Sequence, residues 1–144
     1  MTHHAKDLIE ITAESLSLDA MVRAIGHGAS ASDGPGLDPE AGALVTFSGI
    51  VRETEGDAAI THLDYEFYPR MAEREIEKLF ETARGKWPLR RLAMVHRTGP
   101  VPVGEPSILV GVSAGHRAEA FAAAKWLMDE MKKSVPIWKK APGD

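Results

Sequence analysis

Ala43-Leu-Val-Thr-Phe-Ser-Gly-Ile-Val51 is followed, after a short turn at 53–58, by Ile60-Thr-His-Leu-Asp-Tyr-Glu-Phe-Tyr68. The first segment is β-branched and mostly apolar, as in a buried strand. The second alternates apolar and polar residues, as in a strand with one buried face. Because no helix separates these two strands, the chain departs from the regular βαβ alternation of a parallel sheet. We therefore expect an α+β fold with a largely antiparallel sheet.

Three amphipathic helices are predicted to flank this sheet, because apolar residues recur at helical spacing in three segments. The predicted helices run from Ser17 to Gly26, from Pro69 to Trp87, and from Arg117 to about Lys133. The predicted strands are 8–12, 43–51, 60–68, 92–96 and 107–114. A Gly/Pro-rich connection at 98–106 is predicted to lack regular structure. The apolar face of the third helix is predicted to consist of Ala120, Phe121, Ala124, Leu127, Met128 and Met131.

Length and composition predict one domain covering residues 1–144, with residues 28–41 as a flexible loop. The apolar fraction of 44% and the charged fraction of 26% are typical of a soluble globular protein. We expect a cytoplasmic protein, because the sequence has neither an apolar run of membrane-helix length nor a signal-peptide pattern. The absence of cysteine excludes disulfides, thiolate metal sites and cysteine nucleophiles. Any sulfur chemistry must therefore use sulfur that a partner brings.

Charge is unevenly distributed along a chain whose net charge is −4. Residues 1–115 hold 11 Lys/Arg against 17 Asp/Glu, whereas residues 116–140 hold 6 against 3. The overall acidity argues against general nucleic-acid binding and disfavours an RNA-binding domain as an alternative. The basic C-terminal end indicates a local site for an anion.

Two lysines of this basic end, Lys132 and Lys139, are candidates for chemistry. On a helical wheel Lys132 lies at the margin of the apolar face that includes Phe121. A lysine at such a margin loses hydration and becomes a better base or nucleophile. Lys139 follows a helix break at Pro136, so the packing of residues 136–138 sets its position. The alternative is that both ammonium groups extend from a surface helix end into solvent.

Basic side chains also follow three predicted strands, as Arg52, His96-Arg97 and His116-Arg117. These strand ends could converge on one anion, because a guanidinium binds phosphate or carboxylate through two parallel hydrogen bonds. Alternatively, the arginines form ordinary surface salt bridges and the histidines are core residues with satisfied hydrogen bonds. No third ligand at a usual zinc spacing accompanies the histidines, so no metal site is predicted.

Five segments of the chain carry a family resemblance. They are Phe47-Ser-Gly-Ile-Val-Arg52, Leu63-Asp-Tyr-Glu-Phe-Tyr-Pro-Arg-Met71, His96-Arg-Thr-Gly99 with Val103-Gly-Glu105, Ala114-Gly-His-Arg-Ala-Glu-Ala-Phe121, and Met128-Asp-Glu-Met-Lys-Lys-Ser-Val-Pro-Ile-Trp-Lys139. In order and spacing they resemble the catalytic (large) subunit family of molybdopterin synthase. Each segment alone is a weak signal, whereas the five together are highly specific.

The resemblance implies an α/β-hammerhead-like fold and a homodimer that forms a heterotetramer with two copies of a small ubiquitin-like sulfur-carrier subunit. That partner inserts its C-terminal Gly-Gly tail, which carries a thiocarboxylate, into a pocket of the large subunit. The implied reaction adds two dithiolene sulfurs to cyclic pyranopterin monophosphate and gives molybdopterin. No cofactor is implied, because other proteins insert the metal later.

The resemblance also assigns roles to individual residues. The family's catalytic lysines correspond to Lys132 and Lys139, and its substrate- or tail-binding residues correspond to Phe47, Arg52, His116, Arg117 and Met128. The family usually continues beyond the position of Asp144 through a further Gly/Trp segment, so contacts from that segment are expected either to be absent or to come from residues outside this sequence. The alternative from another functional class is a non-catalytic module that binds a ubiquitin-like tail or a small phosphorylated ligand.

Overall fold

The computed structural model describes residues 7–26 and 37–141, which form three helices and nine strands. The helices are α1 (Leu18–Gly26), α2 (Pro69–Lys86) and α3 (Arg117–Ser134). The strands are β1 (Leu8–Thr12), β2 (Ala43–Ile50), β3 (Thr54–Glu55), β4 (Ala58–Ala59), β5 (His62–Phe67), β6 (Leu89–Arg97), β7 (Gly99–Pro102), β8 (Pro106–Ala114) and β9 (Ile137–Lys140). Residues 28–36 of the predicted flexible loop lie outside the described residues.

A four-stranded sheet with the order β1-β6-β8-β2 forms the centre of the fold. Strands β6 and β2 both run antiparallel to β8, and β1 runs parallel to β6. Helix α1 packs on one face of this sheet, and α2 and α3 pack on the other. The predicted α+β class, with a largely antiparallel sheet and flanking helices, is therefore confirmed.

Alternation along the central strands divides the core into two layers. In β6, Leu92 and Met94 belong to the cluster under α2 and α3, whereas Ala93 and Val95 belong to the cluster under α1. This is the period of two expected for a strand that is buried on both faces. Each helix then needs only one apolar stripe to close its layer.

Strand β2 is an edge strand and not the buried strand that its apolar composition predicts. It pairs with β8 along one side, and no strand of the described residues pairs with its other side. Phe47 is 42% exposed and Ile50 is 49% exposed as a result. An edge with free backbone groups and apolar side chains is a surface that a further strand can cover.

A second sheet, with the order β7-β5-β9, was not predicted from the sequence. Strand β7 lies inside the 98–106 connection that was expected to lack regular structure, and its Val101 is fully buried. Strand β9 follows Pro136 and pairs antiparallel with β5. Both strands have only four residues and contain prolines or adjacent lysines, so neither carries a readable alternation.

The apolar face of α3 is rotated away from Phe121, which is 62% exposed. The buried residues of this helix are Ala120, Ala123, Ala124, Leu127 and Met131. Phe121 follows Ala120 by one residue and therefore lies about 100° further around the helix. The prediction that Phe121 belongs to the core is wrong.

Candidate functional site

A groove of about 380 Å³ lies where the C-terminal end of α3 meets both sheets. Its apolar walls include Phe47, Ile50, Ile108, Met128, Met131 and Ile137. Its polar lining consists of Tyr65, His96, Ser107, Lys132 and Lys139. Four residues that the family resemblance singles out therefore line one cavity, namely Phe47, Met128, Lys132 and Lys139.

The two lysines of the groove come from elements that belong to different layers. Lys132 lies in the last turn of α3, whereas Lys139 lies in β9 and is the cross-strand partner of Tyr65. Because partners across a strand pair share a face, Lys139 and Tyr65 both point into the groove. Strand pairing with β5, and not only packing after the helix break, thus sets the position of Lys139.

Within the described part of the chain, Lys132 differs from its neighbours in forming no salt bridge, although its charge still acts on the Asp129 carboxylate at longer range. Three nearby lysines each have one: Lys133 with Glu130 at 3.2 Å, Lys139 with Glu55 at 3.1 Å, and Lys140 with Glu66 at 3.2 Å. Among the described residues, Lys132 makes neither a hydrogen bond nor an ion pair. Its side chain is exposed, so the loss of hydration predicted from the helical wheel is not found in the chain alone. An occupant of the groove would have to supply that burial.

The predicted convergence of Arg52 with His116 and Arg117 is wrong within one chain. Ile50 pairs with Pro106 at one end of the β2–β8 ladder, and Ala43 pairs with Ala114 at the other. Arg52 follows the first end and His116 follows the second, so about 25 Å of strand separates them. Helix α3 gives the same result, because Arg117 at its start is about 22 Å from the Lys132 turn. All three basic side chains are exposed.

His96 is a buried histidine at the floor of the groove, with only 4% of its surface exposed. Its Nδ1 lies 2.8 Å from the carbonyl oxygen of Arg97, and its ring makes edge contacts with Tyr65 and Phe67. Burial lowers the pKa of His96 to about 4, against the smaller opposing effect of the hydrogen bond to Arg97. The imidazole is therefore uncharged at neutral pH.

Arg97, which directly follows His96, is held in an ion pair and does not line the groove. Its Nη1 donates to Glu105 Oε1 at 2.8 Å, and its side chain is only 13% exposed. Arg97 therefore forms a salt bridge, which is the alternative that the sequence left open for the arginines. His96 agrees with the other alternative, a core histidine with satisfied hydrogen bonds, only in part. Its Nδ1 has a hydrogen-bond partner, whereas its Nε2 has none among the described residues.

Gly49 keeps the groove open beside Phe47. A Cβ atom at this position would lie 2.7 Å from Cγ2 of Ile108 and 3.4 Å from the Phe47 ring. Since the Ile108 methyl group is held by a buried, branched side chain, it has little room to move. A glycine inside a strand is typical of such a close approach, so Gly49 is a groove residue that its position within a strand pattern could have indicated.

No group of three or more potential metal ligands occurs among the described residues. No helix in the described part of the chain is long and apolar enough to cross a membrane. The cytoplasmic location stays a prediction.

Comparisons with known proteins point to one family. A family model described as "MoaE protein" matches residues 11–134. The chain is 43% identical over 140 residues to the molybdopterin synthase catalytic subunit of Arabidopsis thaliana. This alignment covers 97% of the chain and 66% of that relative. The chain therefore spans slightly less than two thirds of the length of this curated relative.

Solved structures give the same result for the fold. The crystal structure of molybdopterin synthase from Staphylococcus aureus aligns with a TM-score of 0.78 and 29% identity, covering 96% of this chain and 92% of that one. A complex of subunits 1 and 2 of the molybdopterin-converting factor from Helicobacter pylori aligns with a TM-score of 0.74 and 25% identity, covering 92% and 83%. The chain thus shares its fold with proteins of this class.

Proposed function

Because this chain belongs to the MoaE protein family, we propose that it catalyses sulfur transfer as the catalytic subunit of a molybdopterin synthase. Two dithiolene sulfurs are added to cyclic pyranopterin monophosphate, and molybdopterin is formed. Each sulfur comes from the thiocarboxylated C-terminus of a small ubiquitin-like carrier subunit. The observation that carries this proposal is the groove shared by Lys139 and by Lys132, which forms no salt bridge with any of the described residues.

The groove suits the tail of such a carrier. Its walls are largely apolar and its polar lining includes two lysine side chains, which complement an extended chain ending in an anion. A Gly-Gly tail has no side chains, so it can enter where Gly49 and Ile108 leave little space. The Helicobacter pylori complex of two subunits supports a small partner for this chain. A carrier is also needed because the chain has no cysteine to hold sulfur.

The two lysines have different roles in the proposed mechanism. Lys132 transfers protons, or forms a transient covalent bond, at the carbon that receives sulfur, since no carboxylate of the described residues forms a salt bridge with its ammonium group. Lys139 stabilises the negative charge that develops at the carrier's acyl group and on the leaving phosphate oxygen. The bound tail covers Lys132 and supplies the burial that the chain alone lacks.

A second copy of the chain completes the proposed anion site. We propose a homodimer in which the free edges of two β2 strands face each other in antiparallel orientation. The Arg52 end of each strand then lies beside the Ala43 end of its neighbour, where the neighbour's His116 and Arg117 follow β8. Arg52 of one copy and His116 with Arg117 of the other together position the phosphate and the pterin. This homodimer and two carrier subunits, one for each groove, together make the heterotetramer.

The test is mass spectrometry of the product after the chain is mixed with thiocarboxylated carrier and cyclic pyranopterin monophosphate. We expect molybdopterin from the wild-type chain and a loss of about 10²- to 10⁴-fold in rate for Lys132→Ala or Lys139→Ala. Lys133→Ala and Lys140→Ala are matched controls, because each is an exposed neighbour that does not line the groove. Carrier binding without any product from the wild-type chain would support the non-catalytic module instead.

A further inference from the structure

The Nε2 atom of His96 has no role in the proposed mechanism. The histidine lines the groove, and its ring is held between Tyr65, at a centroid distance of 4.9 Å, and Phe67, at 4.7 Å. Both contacts are edge-on, at interplanar angles of 63° and 68°. Two aromatic neighbours and one hydrogen bond therefore fix the orientation of the ring before anything binds.

The hydrogen bond of Nδ1 decides where the proton of this imidazole resides. The partner of Nδ1, at 2.8 Å, is the backbone carbonyl oxygen of Arg97, which can only accept. Nδ1 must therefore carry the hydrogen, and Nε2 of the neutral ring presents a lone pair. Among the described residues, Nε2 has no hydrogen-bond partner.

We propose that His96 is a further binding residue of the groove, whose Nε2 accepts a hydrogen bond from an N–H group of the occupant. A backbone amide of the carrier's Gly-Gly tail and a ring N–H of the pterin are the two sources of such a donor. The inference rests on the proposed function, because that function defines both occupants. An acceptor fixed at the floor of a cavity discriminates against occupants that lack a matching donor.

The charge state of the ring supports this role. Because burial lowers the pKa of His96 to about 4, the lone pair on Nε2 is not lost to protonation at neutral pH. The lysines of the groove are cationic donors, so they cannot accept a hydrogen bond from an N–H group of the occupant. The uncharged His96 ring can accept it through Nε2. The groove thus combines donors for an anion with an acceptor for an amide or ring N–H.

Calorimetric titration of two variants tests the proposal. His96→Phe keeps an aromatic ring between Tyr65 and Phe67 but removes the acceptor, and His96→Gln restores an acceptor with a smaller side chain. Each is titrated with carrier bearing an unmodified Gly-Gly C-terminus and, separately, with cyclic pyranopterin monophosphate. His62→Phe is the control, because His62 lies on β5 but does not line the groove.

We expect His96→Phe to weaken binding of one of the two ligands by about five- to a hundredfold, and His96→Gln to recover part of that loss. Weaker carrier binding identifies the tail as the donor, and weaker pterin binding identifies the pterin. Unchanged affinity for both ligands, or an equal loss in His96→Gln, would overturn the proposal. These measurements do not need turnover, so a wild-type chain that makes no molybdopterin refutes the proposed reaction without deciding the role of His96.

A measurement on the wild-type chain covers the case in which His96→Phe does not fold. The Nε2 resonance of a chain labelled with ¹⁵N-histidine is expected to shift away from that of a free lone pair when the donor binds. His96→Gln, in which this resonance disappears, assigns it. A resonance that stays unchanged at saturation with both ligands would contradict the inference.

Discussion

Lys139 Nζ lies 3.1 Å from Glu55 Oε1, so one of the two lysines of the groove is held by an ion pair from the β3–β4 hairpin. The hairpin turns at Gly56, whose φ of 62° is a conformation that glycine adopts without strain. Both side chains are partly exposed, at 54% for Lys139 and 36% for Glu55. The carboxylate therefore offsets the positive charge that an anionic tail would otherwise meet.

Glu55→Gln is expected to strengthen binding of the carrier by about two- to fivefold, because it removes a negative charge beside the proposed binding site for an anion. Stability should change by no more than about 1 kcal/mol, as for other exposed ion pairs. Calorimetry with unmodified carrier measures the affinity. Glu66→Gln is the matched control, since Glu66 pairs with Lys140 at 3.2 Å outside the groove. Equal effects of the two substitutions, or weaker binding by Glu55→Gln, would refute this assignment.

Gly49→Ala is expected to destabilise the fold by about 1–3 kcal/mol and to weaken carrier binding, because the new methyl group overpacks the wall of the groove. The added Cβ would lie 2.7 Å from Ile108 Cγ2. Gly85→Ala in α2 is the control, because its Cβ would meet no atom within 4 Å. That substitution should stabilise the helix by about 0.5–1 kcal/mol. Urea unfolding of both variants should give free-energy changes of opposite sign, and changes of the same sign would argue against the close packing at Gly49.

His96 is expected to make the fold less stable in mildly acidic solution. Its pKa is lowered to about 4 in the folded chain from an ordinary value of 6.5. Between these values the unfolded chain binds more protons, so stability is fully present above about pH 6.5 and falls as the pH drops towards about 4. The loss between about pH 7 and about pH 5 should be roughly 2 kcal/mol. The lowered pKa of Asp38 has its effect only below the ordinary value of 3.8.

Urea unfolding of the wild-type chain and of His96→Gln across this pH range measures the effect. The difference between the two curves isolates His96 from the other titrating groups. A wild-type curve that declines no more steeply than that of His96→Gln would show that the buried imidazole is not the cause.

Asp7 and Arg84 are expected to contribute more to stability than any exposed pair. The guanidinium of Arg84 donates to both carboxylate oxygens of Asp7, at 2.6 and 2.7 Å, and the Asp7 side chain is 2% exposed. Asp7→Ala leaves a largely buried guanidinium unpaired and should cost about 3–5 kcal/mol. Asp19→Ala, which breaks a pair with both side chains 75% exposed, should cost less than about 1 kcal/mol. Similar losses in chemical unfolding would show that the buried pair has no special weight.

The sequence predicts local features of this chain much better than features that depend on pairing. Apolar spacing predicts α2 and its ends, because the apolar residues of one helical face recur within a few turns of continuous sequence. It also places Lys132 near the groove, although the face that included Phe121 is rotated in the structure. The position of Lys139 depends on β9 pairing with β5, which is distant in sequence.

The order and direction of strands explain the other failure. Arg52 and His116 both follow strands, and nothing near either residue indicates that β2 and β8 are direct neighbours, paired antiparallel along their whole length. The apolar composition of β2 also does not indicate that β2 is an edge strand, because the order of strands in the sheet cannot be read from one segment. Basic residues after predicted strands, together with the family resemblance, indicated the residues of the proposed anion site. The topology explains why one chain cannot bring them together.

Arg52→Ala and His116→Ala are expected to complement each other when the two inactive variants are mixed. In the proposed homodimer each groove uses its own Arg52 and the His116 of the second copy. A mixed dimer then has one groove with both defects and one groove with none. After dissociation and reassociation, about a quarter of the wild-type number of grooves should be intact. Product formation from the mixture, compared with each variant alone, measures this recovery.

Arg52→Ala mixed with Lys132→Ala is the matched control, because both residues serve the same groove from the same chain. Every groove of that mixed dimer carries one defect, so no activity should return. Recovery in both mixtures would indicate that intact grooves arise by another route, and recovery in neither would show that Arg52 and His116 of different chains do not serve one groove. Only recovery confined to the first mixture agrees with two β2 edges facing each other, because that arrangement brings opposite ends of the β2–β8 ladder to one phosphate.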